Sequence, residues 1–266
     1  MKEKFENSPL VELVAEVRWS NDFPLKQPIM PGDKLDLLEE FFTKVTSELA
    51  SRDYVTSERL VPKGFPLLAG NPIVRFKKSP SSGTPEEKAK ELSTLFQVGV
   101  GVFTINAIQP YSCWDDLKSV IRIGLDALLN AKPEMSDSGF KISVRYINAF
   151  GESFTDGVGL RRFLSEKFGV AVTLPPALKD EFTTSEIEIP AVRVRSPLKF
   201  GTHVINFSEG KVKSQSVYLM ENIVNLDNDI ESDADKLLEE MSLARDVIHK
   251  RFFAMTKALH SKMKLV

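Results

Sequence analysis

The segment FKISVRY at residues 140–146 alternates apolar and polar side chains with the two-residue period of a β-strand. One face of this strand would be apolar, and the other would carry lysine, serine and arginine. A helical pattern follows at 160–168, strand patterns occur between 191 and 226, and a helical stripe runs from about 234 to 262. This order of a strand, a helix, several strands and a helix predicts one α+β unit.

The same order of patterns precedes this segment. Its parts are a strand at 11–19, a helix at 35–49, short strands at 54–60 and 73–77, a long strand at 95–108 and a helix at 117–128. Residues 95–108 are apolar on both faces, which predicts one central strand with a bulge or bend at Gly99 and Gly101. In the second half, residues 183–189 are a further strand candidate, and Glu209-Gly210 predicts the turn of a hairpin.

The repeat is one of pattern, because the two halves share no residue-level identity. We expect an α+β protein of two similar β-α-β(3–4)-α units, one at residues 1–135 and one at 136–266, the second ending in the long helix. A mainly antiparallel sheet would carry the helices on one face and leave its other face open. The TATA-binding-protein-like fold and the helix-grip fold have this order of elements.

The composition is typical of a globular protein. The 266 residues carry a formal charge of -2, from 35 Lys and Arg against 37 Asp and Glu, so no overall field would attract nucleic acid or an anionic membrane. The single cysteine, Cys113, excludes an internal disulfide. No run of about 18 apolar residues predicts a membrane span. We therefore expect a cytoplasmic protein that does not bind membranes.

No motif predicts a catalytic residue, a metal site or a cofactor. The chain has three histidines at spacings unlike those of metal ligands, and we interpret them as structural or surface residues: His203, His249 and His260. The acidic run at 227–235 lacks the glycine and the final glutamate of a calcium loop. It favours a solvated turn in which Asp233 caps the last helix.

Basic residues occupy similar places in the two halves. Arg75 and Lys77 lie on a predicted strand of the first half, and Arg193 and Arg195 lie on one of the second. If both halves share one open face, these residues would form a single cationic strip that contacts phosphates. A solvated strand face whose cations pair with nearby glutamates explains them as well.

Short segments along nearly the whole chain form a recognisable set. They are residues 9–12, 16–19, 96–99, 114–116, 145–148 and 225–227, together with Phe103, Tyr111, His249, Phe252 and Thr256. This set resembles a family of sporadically distributed bacterial proteins with no assigned activity. The resemblance implies a patchily inherited accessory protein, such as those of toxin-antitoxin or phage-defence islands, which act by binding another protein or nucleic acid. It carries over no catalytic residue.

Polar and aromatic residues within these segments are the candidates for binding. They are Arg18, Trp19, Trp114, Arg145, Tyr146 and Asn148. Pairing of the strands at 11–19 and 140–146 would bring most of them together, where planar groups stack or bind a carboxylate. Pinning of the two halves to each other is the structural alternative.

Three functions are compatible with these patterns. The first is a non-enzymatic binding protein, such as an antitoxin or phage-defence component, that acts through a protein partner. The second is a nucleic-acid-binding protein that uses an open sheet face, and the third is an enzyme of undescribed type. The apolar stripe of the last helix would also suit a homodimer, although core packing is the usual role of such a stripe.

Overall fold

The computed structural model describes residues 5–19, 28–29, 35–78, 84, 93–108, 113–131, 139–178 and 187–265. Within these residues, nine strands form one open antiparallel sheet, and six α-helices accompany it. The predicted α+β class with a mainly antiparallel sheet is confirmed. No helix of the described part is long and apolar enough to cross a membrane.

The strands are β1 (Leu10–Trp19), β2 (Pro28–Ile29), β3 (Thr56–Arg59), β4 (Leu67–Leu68), β5 (Pro72–Lys77), β6 (Ser93–Gly99), β7 (Val102–Ile108), β8 (Phe140–Phe150), β9 (Ala191–Leu198), β10 (Gly201–Val212) and β11 (Gln215–Leu226). The helices are α1 (Leu35–Ala50), α2 (Trp114–Ala131), α3 (Glu152–Thr155), α4 (Leu160–Phe168), α5 (Ala234–Met255) and α6 (His260–Met263). β2 and β4 pair only with each other.

The strand order of the large sheet is β3-β5-β6-β7-β1-β8-β11-β10-β9. The first strands of the two halves, β1 and β8, pair at its centre, with Leu13 opposite Tyr146 and Val17 opposite Ile142. Moving outward from this pair, each side meets the last strand of its own half first. Two similar units placed side by side would produce this order, and the internal duplication and the two named folds stay predictions.

Helices cover one face of the sheet and bury most of its apolar side chains. The larger core cluster takes residues from both halves, among them Phe96, Phe103, Val144 and Ile248. A second cluster lies where α4 and the last turns of the chain meet the sheet and includes Phe163. Each large side chain buried in this way contributes about 1.5–3 kcal/mol of transfer free energy.

The prediction of one strand at 95–108 is wrong. β6 and β7 are two strands of a hairpin, with Gly99 opposite Val102 and a two-residue turn at Val100 and Gly101. Gly101 has a φ of 71°, which glycine adopts without a steric cost. The turn therefore lies at the residues that sequence patterning assigned to a bulge.

The predicted hairpin turn at Glu209-Gly210 is also wrong, because β10 continues through it to Val212. Lys213 and Ser214 form the turn, with φ values of 47° and 68°. Gly210 lies within the strand, where an added Cβ would be 2.5 Å from Leu219 Cδ1. Because Gly210 has no side chain, it leaves room for that leucine. This glycine therefore does not mark a turn.

The last helix is shorter than predicted. It begins after Asp233, whose side chain accepts a hydrogen bond from the Lys236 amide at 2.9 Å, so the predicted cap is confirmed. It ends at Met255, and a 3-10 turn and α6 then bring Leu259 and Met263 into the second cluster, where both are fully buried. In the strand predicted at 183–189, residues 183–186 lie outside the described residues, and 187–189 form no strand.

Candidate functional site

The face of the sheet opposite the helices, here called the open face, is defined by strand alternation and register. On β1 this face carries Glu12, Val14, Glu16 and Arg18. The pairing registers then show which residues of the other strands point to the same face and so have the same parity. Apart from Ile73, which lies at a register shift in β5, no strand residue of this parity belongs to either hydrophobic cluster. The helices of the described part therefore pack on the other face only.

The open face is accessible in both halves and is interrupted by a buried patch on β1 and β7. In the first half, Val14, Val102, Thr104 and Asn106 have this parity but are buried. Across β8, β11, β10 and β9, most open-face side chains are partly or fully exposed. Open-face residues of β3, β5 and β6 are also partly or fully exposed, but their cations pair with a carboxylate, so the unpaired positive charge lies over the four strands β8, β11, β10 and β9.

One row of side chains crosses these four strands. Arg145 lies opposite Ile223, Ile223 lies opposite Val204, and Val204 lies opposite Arg195. Three strand spacings separate Arg145 from Arg195, or about 14 Å. Arg193 lies two residues along β9, about 7 Å from Arg195. We call these five residues the arginine face.

The arginine face carries positive charge that no described residue neutralises. Arg193 and Arg195 are exposed and Arg145 is partly exposed, and none of the three forms a hydrogen bond or an ion pair with a described residue. Between them, Val204 is buried in the floor of the sheet and Ile223 is partly exposed. Three guanidinium groups thus border a small apolar centre.

The predicted cationic strip is divided into two groups. Arg75, Lys77, Arg193 and Arg195 all have open-face parity, but seven strand spacings separate β5 from β9, or about 34 Å along the sheet. Arg75 and Lys77 both pair with the Glu58 carboxylate, at 3.5 and 3.3 Å. Only the second-half group is without a carboxylate among the described residues.

The strand register keeps the residues of the predicted polar cluster apart from one another. β1 and β8 do pair, but Arg18 lies opposite Lys141, and Arg145 lies opposite Val14, about 14 Å further along the strands. Trp19 faces the helices, where its ring meets the rings of Phe41 and Phe140 edge-on. The expectation that pairing brings these groups together is wrong.

The other predicted candidates lie on the helix side of the sheet. Tyr146 and Asn148 alternate with Arg145 and face the helices, and Asn148 Nδ2 donates to the Met220 carbonyl at 3.4 Å. Trp114 is buried, and its Nε1 donates to Ser242 Oγ at 3.2 Å, which joins α2 to α5. Of the six predicted binding residues, Arg145 alone belongs to the arginine face.

A shallow pocket of about 230 Å³ lies on the open face next to the arginine face, near the ends of β1, β8 and β11. Its charged residues already have partners. Arg18 Nε donates to Glu16 Oε1 at 2.5 Å, and Lys141 pairs with Asp229 at 3.1 Å. The pocket is therefore a weaker anion site than the arginine face.

A polar cluster between the sheet and α5, in which His203, Asn222 and Arg245 are buried, was not predicted. It consists of Tyr146, His203, Asn222, Arg245 and Arg251. Arg251 Nη1 donates to His203 Nδ1 at 2.9 Å. Because a guanidinium group only donates, Nδ1 is the acceptor and the imidazole proton lies on Nε2. Arg245 interacts with Tyr146 and with the exposed Asp246.

This environment keeps His203 neutral. Burial is the main cause that lowers the pKa of His203 from 6.5 to about 4, the charge of Arg251 adds to the effect, and the neighbouring Asn222 opposes it. His203 Nε2 and the Asn222 amide make no hydrogen bond of standard geometry with a described residue. Because α5 covers the cluster, we assign it to stability and not to binding.

The described residues contain no group of three His, Cys, Asp or Glu side chains that could hold a metal ion. Cys113 is partly exposed and free. Comparison with known proteins gives no match for this chain among protein-family models, curated proteins or solved structures.

Proposed function

We propose that this protein is a non-enzymatic binding protein that holds a partner protein on the arginine face. The observation that supports the proposal is the group of two exposed arginines and one partly exposed arginine, without a described carboxylate partner, around an apolar centre. Arginine is enriched in protein interfaces, where its planar group binds carboxylates through two hydrogen bonds. An antitoxin or a phage-defence component, as the family resemblance implies, would act in this way.

A protein partner fits the open face better than nucleic acid does. Sheets that bind single strands stack bases on aromatic side chains, and the nine described strands carry no aromatic residue on the open face. Glu12 and Glu16 also lie on this face, between the two basic groups, and would repel a phosphate backbone that joins them.

A capture experiment with charge-reversed variants tests the proposal. The tagged protein, the triple variant R145E/R193E/R195E and a control variant K199E/K211E/K213E would each be used to recover partners from a lysate of the native host. The control makes the same change in net charge at exposed lysines outside the arginine face. Circular dichroism and thermal unfolding would show that both variants fold.

We expect the wild-type protein and the control to recover the same protein, and the arginine variant to lose it. The recovered protein is then purified, and its binding to all three forms is measured by calorimetry. Equal affinity for the arginine variant would contradict the proposal. Recovery of nucleic acid instead, with an affinity that falls steeply as salt rises, would favour the alternative function.

A further inference from the structure

The spacing of the arginine face limits the shape of what can bind it. Arg145 and Arg195 lie in one cross-strand row, about 14 Å apart. An extended peptide advances about 3.4 Å per residue, so two of its residues four positions apart are also separated by about 14 Å. Because side chains alternate, positions i, i+2 and i+4 of such a peptide face the same way.

The residues between the two arginines determine which side chain fits at the middle position of the peptide. Ile223 and Val204 are the only residues of the row between Arg145 and Arg195. An apolar side chain at position i+2 would lie over them and remove the partly exposed Ile223 from water. Carboxylates at i and i+4 would then lie over the two guanidinium groups, which bind carboxylates in a two-point geometry.

A helical segment does not satisfy the same spacing. At 1.5 Å per residue, two helical positions separated by 14 Å are about nine residues apart. At about 100° per residue, these positions lie on opposite sides of the helix, and the positions that do face the same side, seven or eleven residues apart, are separated by about 10.5 or 16.5 Å and miss the spacing by about 3 Å. The spacing therefore favours an extended segment.

From this geometry we infer that the arginine face binds an extended, acidic segment of its protein partner, with the pattern acid-x-apolar-x-acid. The segment crosses β8, β11, β10 and β9 nearly perpendicular to them. Arg193 lies beside one end of this path, where it takes a further acidic residue. The inference rests on the proposed function and specifies the partner's chemistry.

A set of short peptides tests this pattern on the full-length protein. The probe contains Glu-Thr-Val-Thr-Glu between Gly-Ser ends and carries a fluorescent label. One control peptide of the same composition places the glutamates three positions apart, which puts them on opposite sides of an extended chain. A second control replaces the valine with serine. Binding is measured by fluorescence anisotropy at low salt, and again at high salt.

We expect the probe to bind about fivefold more tightly than the spacing control, since an exposed ion pair contributes up to about this factor, and more tightly than the serine control, which leaves Ile223 uncovered. The variants Arg145→Ala and Arg195→Ala should each abolish the preference for four-residue spacing. The variant Lys211→Ala, outside the arginine face, should keep it. Equal binding of the probe and the spacing control would overturn the inference.

The outcomes also separate this inference from the proposed function. If a purified partner binds through the arginine face but the probe does not compete with it, the segment pattern is wrong and the proposed function stands. If the partner binds the charge-reversed variant unchanged, both are wrong. If a single-stranded oligonucleotide binds the arginine face more tightly than the probe, both are likewise overturned.

Discussion

Acid should destabilise this protein through His203. In the unfolded chain a histidine takes up a proton near pH 6.5, whereas folded His203 does so only near pH 4. Between these values the unfolded state binds more protons, so the free energy of unfolding falls as the pH is lowered. The stabilisation is fully present above pH 6.5 and is lost as the pH falls towards 4.

The size of the effect follows from the pKa difference. Each pKa unit corresponds to about 1.4 kcal/mol, so the lowered pKa of His203 contributes up to about 3 kcal/mol, of which about 2 kcal/mol is lost between pH 7 and pH 5. Urea unfolding, followed by the fluorescence of the buried Trp114, would measure this loss. His203→Gln retains an acceptor for Arg251 but cannot take up the proton.

The comparison of the two pH dependences is the test. We expect His203→Gln to lose about 2 kcal/mol less than the wild-type protein between pH 7 and pH 5, whatever its stability at pH 7. An equal loss in both proteins would refute the reasoning. A proton NMR titration that places the pKa of His203 near 6.5 would refute it independently.

Three further predictions concern stability and are checked by the same urea unfolding. Gly124→Ala should destabilise by about 1–3 kcal/mol, because its Cβ would lie 2.5 Å from a buried phenylalanine ring, whereas Gly159→Ala, with open space around it, should have little effect. The double variant K213N/S214G should stabilise by about 0.5–1 kcal/mol, because both turn residues have positive φ values and Asn-Gly adopts them readily. Asp233→Ala should destabilise by about 1 kcal/mol through loss of the helix cap.

Much of the fold could be predicted because the alternation of apolar and polar residues indicates which side of a strand is buried. The pattern of residues 140–146 places Phe140 and Val144 under the helices and Arg145 on the open face, as the structure does. The hairpin at 95–108 was missed because both of its strands are apolar enough to hide the turn. The turn at Lys213 and Ser214 was missed because neither residue favours a positive φ.

The candidate site was predicted only in part, because a site on a sheet depends on strand order and register. Arg145, Arg193 and Arg195 were all identified, but they were assigned to two different groups. The row that joins them passes through Ile223 and Val204, which periodicity alone cannot connect to them. Such a row can be recognised only when β11 and β10 are known to lie between β8 and β9.

The burial of His203 did have a sequence signal. It alternates with Ile205 and Phe207, both of which face the helices. A histidine that alternates in phase with apolar residues of a strand indicates a core position. Asn222 alternates in the same way with Met220. The partners from α5 could not be predicted, because the rotation of a helix about its axis is set by packing.

The central position of β1 has a consequence for how the chain is made. Its neighbour on one side comes from its own half, but the other neighbour, β8, is translated more than 100 residues later. At ordinary ribosome speeds this delay is on the order of ten seconds. Once β7 has paired with β1, the nascent protein presents the other edge of this ten-residue strand, rich in valine and leucine, to whatever chain is nearby until β8 is made. A message truncated after α2 would leave that edge bare permanently, so its product should associate with copies of itself.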